Sequence, residues 1–219
     1  MNKSVVIICD GCFPRSEYPR YIIRTADVII CCDGALSKFL KHSPGIFGYE
    51  RLPDLVIGDM DTLSKAMQRK YAHIIIREDE QEHNDQTKAV RWALNNIDAI
   101  ESIHILGATG GRADHTIGNL SLLMEYTRMF ELGDILIEAI TDEGTALPVN
   151  DTTEFDCGAG REISIFSPDN TLRIKSTGLA YKTDEVIFDN WWKATLNKAT
   201  EDKVRLEFNH RSIALIIMN

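Results

Sequence analysis

With 219 residues, 44% of them hydrophobic and 26% charged, the chain holds enough apolar material for one large domain or two modest ones. A formal net charge of -9 argues against a broad surface for nucleic acid or an anionic membrane, yet leaves room for an anionic substrate wherever a metal ion or an arginine reverses the sign locally. The longest uninterrupted apolar run, Ile213 to Met218, is far too short to span a bilayer, and five unevenly placed cysteines fit a reducing compartment, so a cytoplasmic protein is expected.

Near the N-terminus Lys3 precedes only a short apolar run, Val5 to Cys9, which reads as a strand rather than a signal peptide. Its β-branched residues fit a strand buried on both faces. Asp10 to Pro14 breaks it, and a short helix is expected around Tyr18 to Arg24. Asp27 to Cys32 is a second buried strand, ending on Asp33-Gly34, with an amphipathic helix through Leu36, Phe39 and Leu40 behind it. Asp54 to Ile57 is a third, followed by a helix capped by Thr62 or Ser64 and running to about Lys70. Ile74 to Ile76 is a fourth, leading into the acidic stretch Glu78 to Glu82, which reads as a solvated loop.

Asn84 or Asp85 opens a helix whose apolar stripe is Val90, Ala93, Leu94 and Ile97. Ser102 to Leu106 is a fifth strand, closing on the glycine-rich segment Gly107 to His115. A helix through Ile117, Leu120 and Met124 follows, then a strand at Ile135 to Ile140. Strand and helix in alternation predict a layered α/β domain with a mainly parallel, Rossmann-like sheet over residues 1–144. From Thr145 the texture changes to short β-type runs: Glu162 to Phe166, Leu172 to Lys175, Val186 to Phe188, Val204 to Phe208 and Ile213 to Met218. Asn209-His210-Arg211 reads as the tip of a closing hairpin. A small all-β sandwich or partial barrel over 145–219 is the expectation, and one so small should lean on a partner surface.

Ligands of an open α/β sheet gather at the carboxyl ends of its strands. That edge collects Asp10-Gly11, Asp33-Gly34, Asp59 with Asp61, Gln81 with Asp85, and Gly110-Gly111-Arg112 with Asp114. In an extended chain Asp59 and Asp61 point to one face, where a hard cation such as Mg²⁺ would relieve their repulsion; a solvated turn is the plainer alternative. Gly110 and Gly111 let backbone N–H groups approach an oxyanion at a helix N-terminus, and Arg112 can grip a phosphate in a two-pronged fashion. Five carboxylate-bearing strand ends in succession predict one metal-and-phosphate site. Lys88 and His115 carry less information, and His115 reads as a structural histidine. Cys9-Asp10-Gly11-Cys12 has no second ligand pair, so buried strand-end cysteines are expected there.

Pro53 to Thr62, Glu80 to Ala89 and Gly107 to His115, in that order and spacing, together with Cys32-Asp33-Gly34-Ala35, resemble the motifs of thiamine pyrophosphokinases. The resemblance implies transfer of the pyrophosphoryl group of ATP to thiamine, giving thiamine diphosphate and AMP. By position it makes Asp59, Asp61 and Asp85 ligands of Mg²⁺, places Gln81, Arg112 and Asp114 around the triphosphate, and puts Asp33 in the same cluster. It also implies a homodimer in which the β domains pair and thiamine binds between subunits. The family's thiamine loop reads close to Thr-Ser-Asn, whereas this chain has Thr195-Leu196-Asn197, so a serine hydroxyl is missing. Trp191 or Trp192 could stack on a cationic ring, or else belong to the core of the β domain. Two other readings stay open: a different Mg²⁺-dependent transferase built on Asp59-x-Asp61, and a non-catalytic thiamine- or nucleotide-binding module.

Overall fold

Val5, Val6, Ile7 and Ile8 are fully buried, a pattern that suits only a central strand covered on both faces. The computed structural model describes residues 2–219. It divides into two units, one of residues up to 120 together with 133–142, the other of 121–132 together with 143–219. The second unit therefore takes in a stretch of chain, 121–132, that precedes the last strand of the first.

The first unit alternates strands and helices. Its elements are β1 (Lys3–Ile8), α1 (Glu17–Thr25), β2 (Val28–Cys32), α2 (Ala35–Phe47), β3 (Leu55–Gly58), α3 (Lys65–Lys70) and, after a short 3-10 turn, β4 (Ile75–Arg77). Then come α4 (Asp85–Asn96), β5 (Ile100–Leu106), the start of α5 (Ala113–Met129) and β6 (Leu136–Ile140). The strands lie in the order β6-β5-β1-β2-β3-β4 and every neighbouring pair is parallel. The chain passes outward from β1 through β2 to β4 and then returns to the other side of β1, so the order reverses between β1 and β5. Such a switch point opens a crevice at the carboxyl ends of the two strands. Phe39, Leu36 and Ile23 of the helices pack with Val6, Ile8, Ile29 and Val56 in the core beneath.

The second unit carries β7 (Thr145–Val149), β8 (Thr153–Asp156), β9 (Glu162–Phe166), β10 (Ile174–Thr177), β11 (Asn197–Lys198), β12 (Lys203–Phe208) and β13 (Ala214–Met218). All pair antiparallel, as β11-β9-β13-β7 and as β10-β12-β8. Strand β12 buries Val204 and Leu206 and exposes Lys203 and Arg205, the alternation of a strand with one wet face. Ile163, Ile165, Ile174, Val204, Leu206 and Ile216 meet in its core.

Two expectations change here. Val186 to Phe188 is not a strand: the Val186 N–H donates to the Thr183 carbonyl at 2.9 Å, a turn rather than a ladder. Asn209 to Arg211 does not close a hairpin either, because β12 pairs with β10 and β8 whereas β13 pairs with β7 and β9. That turn carries the chain from one sheet to the other.

Candidate active site

Gly58 ends β3 with φ +153°, a region that favours glycine. A Cβ there would lie 3.0 Å from Asp33 Cβ and 3.0 Å from the Asp85 carboxyl, so the bare glycine lets two acidic residues close in from β2 and α4. Beyond it the expected extended geometry of Asp59 and Asp61 does not occur. Met60, buried between them, has φ +64°, and the Asp61 N–H donates to Asp59 Oδ1 at 3.1 Å. A left-handed turn, not strand alternation, brings the two carboxylates together.

Asp33 joins them. Oxygen atoms of Asp33, Asp59 and Asp61 lie within 4.8 Å of one another, whereas Asp85 stands beside this group across Gly58. Asp33 is 3% exposed and also has positive φ, at +37°. Its Oδ2 accepts from the Thr62 N–H at 3.1 Å, and its Oδ1 is buried with no hydrogen-bond partner. A buried carboxylate oxygen without a donor is costly unless a cation or proton completes it.

The electrostatics follow from this crowding. Contact with Asp33, then the charge of Asp59, pushes the Asp61 carboxyl up. Burial pushes Asp85 up against the opposing pull of Lys88. Burial also acts on Asp59, but the Asp61 N–H, the Gln81 amide and the Lys88 charge outweigh it and hold that carboxyl down. Buried Lys88 sits 3.3 Å from Asp85 Oδ1 and donates to the Glu78 carbonyl at 3.0 Å. One lysine against the carboxylates of Asp33, Asp59, Asp61 and Asp85 leaves a net negative cluster of hard oxygen donors, the chemistry that can hold a divalent cation.

The loops after β1 and β5 build another part of the cleft. The Gly11 N–H donates to the Gly107 carbonyl and the Cys12 N–H to the Thr109 carbonyl, both at 2.8 Å. Lys38 of α2 pins the first loop, its Nζ donating to the Asp10 and Gly11 carbonyls at 2.6 and 2.8 Å and pairing with Asp10 Oδ1 at 2.7 Å. Gly110 has φ +80° and lies against Cys12, so it shapes the loop, and both Gly110 and Gly111 are exposed. Arg112 stands just before α5 and forks onto Asp114, Nε to Oδ1 at 3.1 Å and Nη2 to Oδ2 at 2.5 Å. That guanidinium holds the Asp114 carboxyl down to about 2. Both side chains are largely exposed, and Arg112 faces the cleft.

The acidic loop is more ordered than its composition suggests. Arg91 of α4 pairs with Glu78 at 2.8 Å and Glu80 at 3.3 Å, and Glu80 also accepts from the His83 N–H at 2.6 Å. Burial raises the Glu80 carboxyl, but the His83 N–H, the His83 ring and Arg91 together bring it down to about 2, from an ordinary 4.5. A depressed carboxylate gives its stabilisation in full above its unfolded value and loses it as pH falls through the folded one. The loop should therefore stay anchored until pH drops from 4.5 towards 2. Arg91→Met should move the Glu80 titration, followed by carboxyl ¹³C shifts, back towards its ordinary range. Gln81 donates to Asp59 Oδ2 at 3.3 Å, which ties this loop to the carboxylate cluster.

In the second unit Trp191 and Trp192 are 61% and 67% exposed, so neither is core. Asn197 is buried. Its Oδ1 accepts from the Tyr181 N–H at 3.0 Å and its Nδ2 donates to the Tyr181 carbonyl at 2.6 Å, so its amide serves as a strut for its own loop. Thr195 Oγ1 donates to the Trp192 carbonyl at 2.7 Å. Between them Leu196 is 86% exposed with φ +59°. A left-handed leucine costs about 1–2 kcal/mol. Leu196→Gly is thus expected to raise stability by up to about 1 kcal/mol after glycine's greater unfolded freedom is subtracted, as read from a urea midpoint.

Asp10, Asp33, Asp59, Asp61, Asp85 and Arg112 all line one cleft of about 620 Å³ in the first unit. Sequence reasoning missed Lys38 and Asn119, whose partners lie on distant elements, and it set Lys88 aside although Lys88 stands one helical turn after Asp85. Among the described residues, no helix is long and apolar enough to cross a membrane.

Residues 19–132 match the family model described as thiamin pyrophosphokinase, catalytic domain, and residues 144–214 match thiamin pyrophosphokinase, substrate-binding domain. Thiamin pyrophosphokinase 1 of Caenorhabditis elegans is 31% identical over 101 residues, which is 44% of this chain and 40% of that protein. Thiamine pyrophosphokinase 1 of Arabidopsis thaliana is 29% identical over 151 residues, 61% of this chain and 56% of that one. The chain thus spans about half the length of the curated relatives it matches. The solved structure of thiamine pyrophosphokinase from Bacillus subtilis superposes with a TM-score of 0.76 over 99% of both chains at 19% identity. The yeast thiamin pyrophosphokinase does so with a TM-score of 0.76, over 100% of this chain and 87% of that one, at 16% identity. The two structural likenesses concern the fold; the two family models between them cover most of the sequence, and the chain belongs to the thiamin pyrophosphokinase family.

Proposed function

We propose that this chain is a Mg²⁺-dependent enzyme that transfers the pyrophosphoryl group of ATP to the hydroxyl of thiamine, giving thiamine diphosphate and AMP. The observation that supports this most is the buried, unpartnered Asp33 Oδ1 beside Asp59 and Asp61, facing a glycine-rich loop and a helix N-terminus across one cleft. A nucleotide-binding crevice without a metal has no use for so many uncompensated carboxylates.

Asp59, Asp61 and Asp85 would hold the ion, with Asp33 completing the cluster. A bound Mg²⁺ supplies charge neutralisation on the phosphate oxygens. Asp10 and Gly11, Gln81 and the Gly110-Gly111 backbone surround the nucleotide, and the positive end of the α5 dipole favours a phosphate there. Arg112 grips a phosphate oxygen in the transferring group, and Asp114, by forking onto it, aims the guanidinium. These residues contribute position and fixed charge, which are the main sources of rate in phosphoryl transfer.

Thiamine is assigned to Trp192, Thr195 and Asn197 of a homodimer. The exposed indoles suit a cationic ring, and Asn197 acts by shaping the loop. Five free thiols accord with a cytoplasmic setting. A coupled assay of AMP release from ATP and Mg²⁺, with and without thiamine, tests the reading. Thiamine-dependent AMP is expected; ADP in its place would mean a single phosphoryl transfer and the wrong reaction.

A further inference from the structure

Three hydrogen bonds converge on one side chain and backbone in the first turns of α5. Asn119 Nδ2 donates to the Ala108 carbonyl in the glycine-rich loop at 2.9 Å. Its Oδ1 accepts from Asn84 Nδ2 at 2.9 Å, and its backbone carbonyl accepts from Gln86 Nε2 at 3.1 Å. Asn84 is the N-cap of α4: its Oδ1 accepts from the Thr87 N–H and hydroxyl at 3.0 and 2.9 Å, which turns its amide nitrogen towards Asn119. Gln86 in turn accepts from the Cys9 thiol at 3.6 Å, at the end of β1. Asp85 lies between these two anchored residues.

We propose that Asn119 is a positioning residue: its amide fixes the distance between the phosphate-side glycine loop and the first turn of α4, and so places Asp85 where it would hold the metal ion with Asp59 and Asp61. The inference rests on the reading of the cleft as the pyrophosphoryl-transfer site. The chemistry of an amide is what the position requires, since one end must donate to a carbonyl and the other accept from an amide. Leucine has nearly the same shape and does neither. Aspartate keeps the bond from Asn84 but turns a second acceptor towards the Ala108 carbonyl.

The test compares Asn119→Leu and Asn119→Asp with the wild-type chain for thiamine-dependent AMP release, and adds a cycle with Asn84→Ser. Both Asn119 variants should lose tenfold or more in kcat with less than threefold change in KM for thiamine, the leucine variant losing more. A role in folding alone would instead lower the yield of active protein and leave kcat per folded site intact, so thermal midpoints are recorded beside it. Once Asn119→Leu has removed the link, Asn84→Ser, which keeps a side-chain oxygen to cap Thr87 and removes only the amide donor to Asn119, should cost little further, so the two losses should not multiply. If the leucine variant does not fold, the aspartate variant carries the comparison. Wild-type kcat in a folded Asn119→Asp enzyme, or losses that multiply in the cycle, would overturn the positioning role. A wild-type chain with no thiamine-dependent AMP release would overturn the reading of the whole cleft, and this proposal with it.

Discussion

Asp33→Asn is expected to lower kcat/KM for ATP by roughly two to four orders of magnitude, the several kcal/mol that metal-ion catalysis supplies, while the protein stays folded. Asparagine is the replacement that isolates charge. It tolerates the +37° φ at this position and can still accept from the Thr62 N–H through a side-chain oxygen. What it removes is one negative charge and one of the two oxygens of a carboxylate whose Oδ1 has no protein partner. Thermal midpoint and kcat/KM measured on the same preparation separate the two effects. A variant with near-normal turnover would show that Asp33 is no part of the reacting centre. Asp61→Asn should lose activity on the same scale, although Asp61 is exposed and its neutralisation relieves repulsion from Asp33 and Asp59.

Two glycines on the same wall should behave in opposite ways. A Cβ on Gly11 would lie 2.3 Å from the Gly107 carbonyl oxygen and 2.3 Å from that of Thr109, both backbone atoms that cannot swing aside. Gly11→Ala must therefore separate the loops after β1 and β5, breaking the bonds that Gly11 and Cys12 make across them. We expect a loss of about 3 kcal/mol or more, at the high end for an overpacked site, or roughly 6–12 °C in midpoint for a chain of this size. Activity should fall with it. On Gly111 the nearest atom to a new Cβ is Gly11 Cα at 3.8 Å, ordinary contact, and no positive φ is required. Gly111→Ala should leave the midpoint within about 2 °C, the scatter of a neutral substitution in a chain of this size. A large drop for Gly111→Ala, or none for Gly11→Ala, would contradict the loop geometry.

Much of this was legible in the sequence, for identifiable reasons. The β-branched runs at Val5 and Ile29 announce doubly covered strands because nothing polar interrupts them, and their burial is complete. The carboxylates at successive strand ends converge because parallel strands deliver all their carboxyl ends to one edge. Less legible was how Asp59 and Asp61 meet, since a left-handed Met60 leaves no mark in a sequence that has no glycine there. Lys38 and Asn119 were hidden for another reason: each makes contacts 28 or 35 residues away, set by tertiary packing alone. In the second unit, alternation locates strands such as β12 but does not say which strands pair, so the turn at 209–211 resembled a hairpin while joining two sheets. The two-residue strand β11 is too short for any periodicity to register.

A Mn²⁺ titration followed by electron paramagnetic resonance, with Mn²⁺ standing in for Mg²⁺, probes the carboxylate cluster on the wild-type chain and on Asp33→Asn, with and without ATP. Stoichiometric binding to the wild type that tightens when ATP is present is expected, with binding weakened at least tenfold in the variant under both conditions. Equal affinity in the two proteins, or no bound Mn²⁺ in the wild type even with ATP, would contradict the assignment of this carboxylate cluster as the metal–triphosphate centre.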